Sequence, residues 1–370
     1  MFLKTIQDVV CPSFRGGGPC SGALELDRRL APEVSGAENG DVREGLLRCT
    51  ICGKEYPVIC GVLILVGNID SYLAQNYTGI LGLGAEEGIG RRMIDYLKGR
   101  GSDLKDASYS GCLWDNSTAG TNLYLSVHYD RISDLVGEGH PLQGFLRSYC
   151  DDDFYSRMGR LIAPVLGESV LALDVGCNVG GSAYRLARTC RFVYGIDFSF
   201  RFVLAARRVL LGSPVPQESY RLHRERLVSE PRPLSVKRLG NAEFFVASGL
   251  NLPFPDGSFD FVNCQNLIDV VGQPKDLIRE NLRAAGPGKH ILFTDPFHPG
   301  LEVGGAVVES RLGYGSQDAS SASLRRFLED ESCRIVAEAD EVPWVIRVHD
   351  RCFQIWLNHC ILAQKRVGGV

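Results

Sequence analysis

The strongest constraint on this chain lies between Val170 and Gly181. Val170-Leu171-Ala172-Leu173 is a short apolar run, Asp174-Val175 closes it, and Gly176-Cys177-Asn178-Val179-Gly180-Gly181 follows before a helix-forming stretch. A buried strand that breaks into a glycine turn and then a helix gathers backbone N–H groups at the strand's carboxyl end. In an open α/β sheet that is where a small polar ligand sits. A dinucleotide fingerprint needs glycine at the second position of G-x-G-x-x-G, so that the backbone can approach a pyrophosphate. Here the three positions are Gly176, Asn178 and Gly181, and a side chain stands where that approach would occur. A ligand without phosphate tolerates this better. The next strand, residues 192–196, ends in Asp197-Phe198-Ser199, where an acid can accept both hydroxyls of a ribose. These residues rule in a nucleoside but leave NAD and S-adenosylmethionine (SAM) both open.

The downstream pattern separates the two. The run Phe244-Phe245-Val246-Ala247-Ser248-Gly249-Leu250-Asn251-Leu252-Pro253-Phe254, followed by Asp256-Gly257-Ser258-Phe259-Asp260-Phe261-Val262, resembles the third and fourth strands of class I SAM-dependent methyltransferases. Gly286-Pro287-Gly288, the strand 290–294 and Asp295-Pro296-Phe297 resemble their fifth. The resemblance covers about residues 150–300 and implies a Rossmann-like α/β fold: a seven-stranded, mostly parallel sheet with helices on both faces. It implies that Asp174 and the turn through Gly176, Asn178 and Gly180 hold the methionine end of SAM. Asp197, with Phe198 beside it, would take the ribose, Ser248, Gly249 and Leu250 would edge the adenine, and Gln265 would complete the cofactor contacts. Ser248 departs from the aspartate common in the family, which implies a weaker or water-mediated contact to the adenine amino group.

Thirteen cysteines, an odd number, in a chain whose first residues carry no long apolar core read as reduced thiols plus a metal site, and as a cytoplasmic protein. Four of them cluster early: Cys11 and Cys20, with eight residues between, and the tight knuckle Cys49-Thr50-Ile51-Cys52. Four thiolates from two turns suit a closed, tetrahedral, structural Zn²⁺. Residues 22–26 and 45–48 would pair as strands and bring the turns together. Residues 8–66 resemble the small zinc-ribbon activator of tRNA and release-factor methyltransferases, although the family's first knuckle is tighter, which makes Cys20 the least secure ligand. Cys60, Cys112, Cys150, Cys190, Cys333, Cys352 and Cys360 read as small buried hydrophobes.

The expected organisation is a ribbon at 1–66, a linker or cap with short helices at 67–140, and a methyltransferase domain at 141–370 with insertions at 201–240 and 300–342. Glycine, serine and asparagine clusters between 67 and 127 suggest the linker, with a short helix near 91–97. Met158, Leu161, Ile162, Val165 and Leu166 mark an amphipathic helix before the first strand. The segment 123–130 precedes it, and such leading segments often fold over the cofactor in this superfamily. His128 or Tyr129 then lines the site, or is a surface histidine and a packed tyrosine.

A net charge of −4 gives no global nucleic-acid signal, and no apolar run approaches a membrane span. The stretch 201–238 nevertheless carries nine Lys or Arg against three acids. It reads as a solvated basic helix or as a grip on RNA, with few aromatics to stack bases. Methyl transfer needs an aligned acceptor and, where that is protonated, a base. The candidates are Asp269 after the fourth strand and His298 after the fifth. The fourth-strand end reads Asn263-Cys264-Gln265-Asn266, not the Asn/Asp-Pro-Pro-aromatic signature of base-amino or amide methylation. A small metabolite is therefore the expected acceptor, with RNA modification or a non-catalytic SAM-binding scaffold as the alternatives. Arg347, His349 and Arg351 share one strand face, which binds an anion if it points inward and is a solvated edge if it points outward.

Overall fold

The computed structural model describes residues 1–15, 18–27, 33–35, 40–101, 118–131, 136, 138–150, 154–225, 228–298, 301–303, 306–308, 312 and 321–367. Its centre is a seven-stranded sheet. We number its strands β1 (Leu171–Val175), β2 (Phe192–Asp197), β3 (Ala242–Val246), β4 (Phe259–Gln265), β5 (Ala285–Asp295), β6 (Cys333–His349) and β7 (Cys352–Lys365). Their order across the sheet is β3-β2-β1-β4-β5-β7-β6. The first five are mutually parallel, and β7 runs antiparallel to both β5 and β6. Strands buried on both faces read as continuous apolar runs rather than alternating ones; every residue of β3 is buried, as are four of five in β1. The order reverses beside β1, which opens the crevice where such sheets bind ligands.

The Leu-Pro-Phe segment turns out to build this core. Phe254 packs edge-on against Phe259, with ring centroids 4.7 Å apart, and lies 5.4 Å from Tyr194. Arg283 donates from Nη1 to the Phe254 carbonyl and from Nη2 to that of Leu252.

At the N-terminal end, strands Leu24–Leu26, Asp41–Cys49, Glu55–Ile59 and Val62–Leu63 form a second antiparallel sheet, with Glu33–Ser35 pairing on Asp41–Cys49. The expected pairing is present, with Leu24 opposite Cys49 and Leu26 opposite Leu47. This sheet continues into the large one. Ile64 bridges Val246 on the edge strand β3, and Leu65 N–H donates to the Val246 carbonyl at 2.8 Å. A buried ion-pair chain crosses the same seam, where Arg207, fully buried, bonds Glu243 of β3 and Asp41 of the N-terminal sheet. One hydrophobic cluster accordingly runs from Val9 and Tyr56 through Phe244 to Ala363.

Three elements differ from the sequence reading. A 19-residue helix, Ile69–Glu87, passes through the glycine-rich stretch expected to be a linker, and Arg91–Gly101 follows it. Tyr72, Leu73, Ile80 and Leu83 are buried on the first of these, so packing of one face outweighs the low helix propensity of its glycines. The basic stretch is a helix only over Phe200–Leu210, and continues as a hairpin, Ser219–Glu225 with Val228–Pro233. β6 begins at Cys333, nine residues before the expected strand start at 342. Cys112 and most of residues 299–320, at the expected insertion 300–342, lie outside the described residues, as does the side chain of Cys150. No described helix is long and apolar enough to cross a membrane.

Candidate functional site

A cavity of about 420 Å³ opens at the carboxyl ends of β1 to β5. Its floor is the turn after β1. Gly176 sits at φ +74, and a Cβ there would lie 2.5 Å from Leu267 Cδ1. Asn178 holds φ +49, the left-handed region that glycine favours and asparagine tolerates, so the departure from the glycine pattern costs little. Its backbone N–H donates to Asp197 Oδ2 at 3.0 Å, and Ser199 N–H donates to Asp197 Oδ1 at 2.8 Å. Asp197 thus ties the β1 and β2 turns together, and burial pushes its carboxyl up to about 6. Asp174 accepts from Asn263 Nδ2 at 2.6 Å through Oδ1, while Oδ2 has no hydrogen-bond partner; burial pushes it up to about 7. An apolar cavity holding two such carboxylates favours a ligand that brings hydroxyl donors or a cationic ammonium.

Of the residues expected from sequence, Asp174, Gly176, Asn178, Asp197, Phe198, Ser248, Gly249, Leu250, Gln265, Asp269 and His298 all line this cavity. Gly180 does not. It sits at φ +89 capping helix Gly181–Leu186, where a Cβ would meet Leu210 Cδ1 at 2.6 Å, so its place is in the turn's backbone. Ser248 Oγ accepts from Leu250 N–H at 3.2 Å and shapes its own turn.

The leading segment is the helix Thr118–Tyr129, and it closes one side. His128 Nδ1 accepts from Gly181 N–H at 2.9 Å, and a Cβ on Gly181 would fall 2.4 Å from that nitrogen. Burial, with Arg185 adding to it, pushes the imidazole down to about 3, so it is neutral with its proton on Nε2. Of the two readings of His128, the cavity-lining one holds; Tyr129 is packed, donating to the Val179 carbonyl.

At the far end Asp269 and His298 stand together. The backbone N–H of His298 donates to Asp269 Oδ2 at 3.2 Å, and burial pushes the Asp269 carboxyl up to about 6. Asp295, at the end of β5, does structural work. Its oxygens accept from the backbone N–H groups of Ile268, Asp269 and Phe297, which fixes the two loops that carry the pair. Sequence reasoning missed the wall opposite: Phe154, Tyr155, Trp344 and Trp356. Trp344 and Trp356 are cross-strand partners on β6 and β7, and the chain has three tryptophans, so two of its rarest residues meeting at the cavity was the available signal. Arg347 is buried and bonds Asp350, and exposed Arg351 pairs with Glu225; the three-residue face forms no common anion site at the cavity.

Several residues of the basic stretch are paired within the fold. Arg208 pairs with Glu87, Arg224 with Glu230 and Asp350, Arg232 with Asp130, and Arg238 with Glu218.

A second cluster lies in the N-terminal sheet. The sulfurs of Cys11, Cys20, Cys49 and Cys52 all fall within 4.8 Å of one another. Between Cys11 and Cys20, Phe14–Arg15 pairs antiparallel with Gly18–Pro19, which returns Cys20 beside Cys11. Cys11 and Cys52 sulfurs are 3.6 Å apart, those of Cys20 and Cys49 3.7 Å. Tetrahedral Zn–S bonds of about 2.3 Å place sulfurs about 3.8 Å apart, so the donor set fits that ion. Backbone N–H groups of Ile51 and Cys52 point to Cys49 Sγ at 3.4 and 3.5 Å, as in a thiolate knuckle.

Residues 173–293 match the family profile described as methyltransferase domain. Norajmaline N-methyltransferase of Rauvolfia serpentina is 30% identical over 129 residues, 35% of this chain and 37% of that protein. Demethylmenaquinone methyltransferase of Tropheryma whipplei is 24% identical over 189 residues, 49% of this chain and 67% of that protein. The chain thus spans between about a third and two thirds of the length of these curated relatives. Among solved structures, a SAM-dependent methyltransferase of Methanosarcina mazei aligns at 21% identity and a TM-score of 0.40, over 56% of this chain and 97% of that one.

Proposed function

We propose, from the premise that this chain carries a class I SAM-dependent methyltransferase domain, that it methylates a small metabolite held between the β1–β3 turns and the Trp344–Trp356 wall. The observation that carries the reading is the joint lining of one 420 Å³ cavity by Asp174 and Asp197 at one end and the Asp269–His298 pair at the other. Bound SAM would supply an electrophilic methyl on a sulfonium. Asp174 would meet the methionine ammonium, and Asp197 the ribose hydroxyls. The loop of Ser248, Gly249 and Leu250 would flank the adenine, and the Asp269–His298 pair would take the acceptor's proton. In that transfer the acceptor's lone pair would bond the methyl carbon while the sulfur kept the C–S electrons as a neutral thioether. The relatives' printed names point the same way, toward amine and quinone-type small molecules.

The four cysteines would hold one structural zinc that fixes the turns of the N-terminal sheet. RNA modification has less support, because five of the nine basic residues that suggested it, Arg207, Arg208, Arg224, Arg232 and Arg238, are engaged in ion pairs. The test is calorimetric titration with SAM and with NAD, then labelled-methyl transfer to a panel of small acceptors and to RNA. Micromolar SAM binding, no NAD binding and label on a small molecule support the reading; a folded protein that binds no SAM ends it.

A further inference from the structure

Three consecutive residues after the β1 turn each orient one side chain at the same end of the cavity. The backbone N–H of Gly181 donates to His128 Nδ1 at 2.9 Å. The Ser182 hydroxyl donates to Gln265 Oε1 at 2.7 Å. Ala183 turns its backbone N–H toward the Asp174 carboxyl. Asp174, His128 and Gln265 all line the cavity. The bonds to His128 and Gln265 each occupy an acceptor and leave a donor. A ring nitrogen that accepts an N–H is unprotonated, so the His128 imidazole is neutral with its proton on Nε2, and Gln265 is left with its amide Nε2. Neither Nε2 bonds another group among the described residues, and neither is sealed off from solvent.

His128 is held from several sides. Its ring stands edge-on to Tyr124, with centroids 5.9 Å apart, and lies 5.6 Å from Tyr155. Arg185 Nη1 donates to the His128 carbonyl at 3.0 Å and to the Gly181 carbonyl at 2.9 Å, which ties the end of the helix Thr118–Tyr129 to the turn. The guanidinium itself lies over the Tyr155 ring, 4.1 Å from its centroid, and lines a smaller neighbouring cavity instead of this one. Among the described residues, no Lys or Arg lines the main cavity. An anionic group there meets N–H donors and no cation. The ammonium and carboxylate of an amino acid share one carbon, so whatever receives the carboxylate has to stand beside Asp174. A cation in that place would also repel the ammonium and the sulfonium, whereas neutral N–H dipoles favour the carboxylate without that cost.

We infer that His128 Nε2 and Gln265 Nε2 form an uncharged, two-donor cradle for the carboxylate at the methionine end of the cofactor, set in place by Gly181 and Ser182. This rests on the methyltransferase reading above.

The experiment is calorimetry on the full chain with two probes, S-adenosylhomocysteine and its decarboxylated analogue, which keeps the thioether and the ammonium. Wild type should bind the analogue about ten- to hundredfold more weakly, the span of hydrogen bonds to a charged group. His128→Phe keeps an aromatic ring and removes the N–H. It should weaken S-adenosylhomocysteine about tenfold and leave the analogue within about twofold. Gln265→Glu sets an anion against the carboxylate and should weaken S-adenosylhomocysteine further, with the analogue unchanged or tighter. His128→Gln returns an amide N–H at about the reach of Nε2 and should recover part of the loss. Gly181→Ala, whose Cβ would crowd His128, should mimic His128→Phe and add little to it in the double variant. Affinity for the analogue also reports that each variant is folded, and if His128→Phe does not fold, Gln265→Glu decides. Equal loss of both probes makes His128 and Gln265 parts of the wall and overturns the inference. So does a wild type that does not distinguish the probes, or S-adenosylhomocysteine affinity indifferent to both substitutions. A chain that binds neither probe overturns the methyltransferase reading instead, so the two failures are distinguishable.

Discussion

The cysteine cluster and the cavity at the strand ends are built on opposite principles. In the N-terminal sheet, four sulfurs converge from the C-x2-C knuckle and from the two ends of a short hairpin, on strands whose core is shared with the large sheet. A site like that depends on its ligand set. The cavity is lined by residues from five strand ends, a leading helix and a distant hairpin, all held by a core that persists whatever occupies the space. Damage to the first should therefore appear as lost structure, and damage to the second as lost binding. The seam between them blurs that division, because Leu65 lies on Val246, Arg207 joins Asp41 to Glu243, and Asn251 Nδ2 donates to the Pro12 carbonyl at 2.6 Å.

The sharpest break in the comparison would come from the metal. Purified protein should contain about one zinc per chain, and Cys49→Ser should lose it along with a large fraction of thermal stability; atomic emission and a melting curve read both. A metal-free, stable wild type would leave the N-terminal sheet as an ordinary packed one. Next in size is the seam. Arg207→Met strands buried Glu243 and should cost about 3–5 kcal/mol in chemical denaturation, with both sheets melting together. Separate transitions would mean the two regions are independent.

On the cavity side, Asp197→Ala should weaken SAM by about tenfold or more with little loss of stability, measured by calorimetry and melting on the same sample. Unchanged affinity would put the ribose elsewhere. The pH dependence has a definite sign. Burial raises the Asp174 and Asp197 carboxyls to about 7 and about 6. Without ligand, the stability linked to them is full below the ordinary carboxylate range and is lost as pH rises through 6 to 7. SAM binding favours their charged forms, so affinity should climb over the same window with proton release, detectable by titration in buffers of different ionisation enthalpy. A flat profile from pH 5.5 to 8 would remove both carboxylates from the ligand. Smallest of all, Asn251→Ala cuts the bond from Pro12, beside Cys11, to the loop after Leu250, and should weaken SAM about two- to threefold.

Much of this architecture was legible in the sequence because it is locally encoded. A strand buried on both faces has to be a continuous apolar run, and a turn that needs left-handed backbone has to carry Gly176 and Gly180 or an asparagine at 178. The C-x2-C knuckle is likewise set by the reach of a few residues. Eleven of the twelve expected cavity residues meet at one cavity because each marks the end of a strand whose place in the sheet follows from its order in the chain.

Other features were decided only by the tertiary structure. The helix Ile69–Glu87 forms through glycines because the fold offers its apolar face a partner, and Arg208, Arg232 and Arg224 find Glu87, Asp130 and Asp350, all far away in sequence. Cys20 reaches the cluster through a hairpin that its spacing from Cys11 concealed. Trp344 and Trp356 become one wall only when β7 folds back along β6, and whether His128 meets the cavity depends on a helix docking where Gly181 has no side chain. Periodicity and turn chemistry act over a few residues, so the sequence alone carries them; pairings across a hundred residues depend on which surfaces finally pack together, and that is settled in three dimensions.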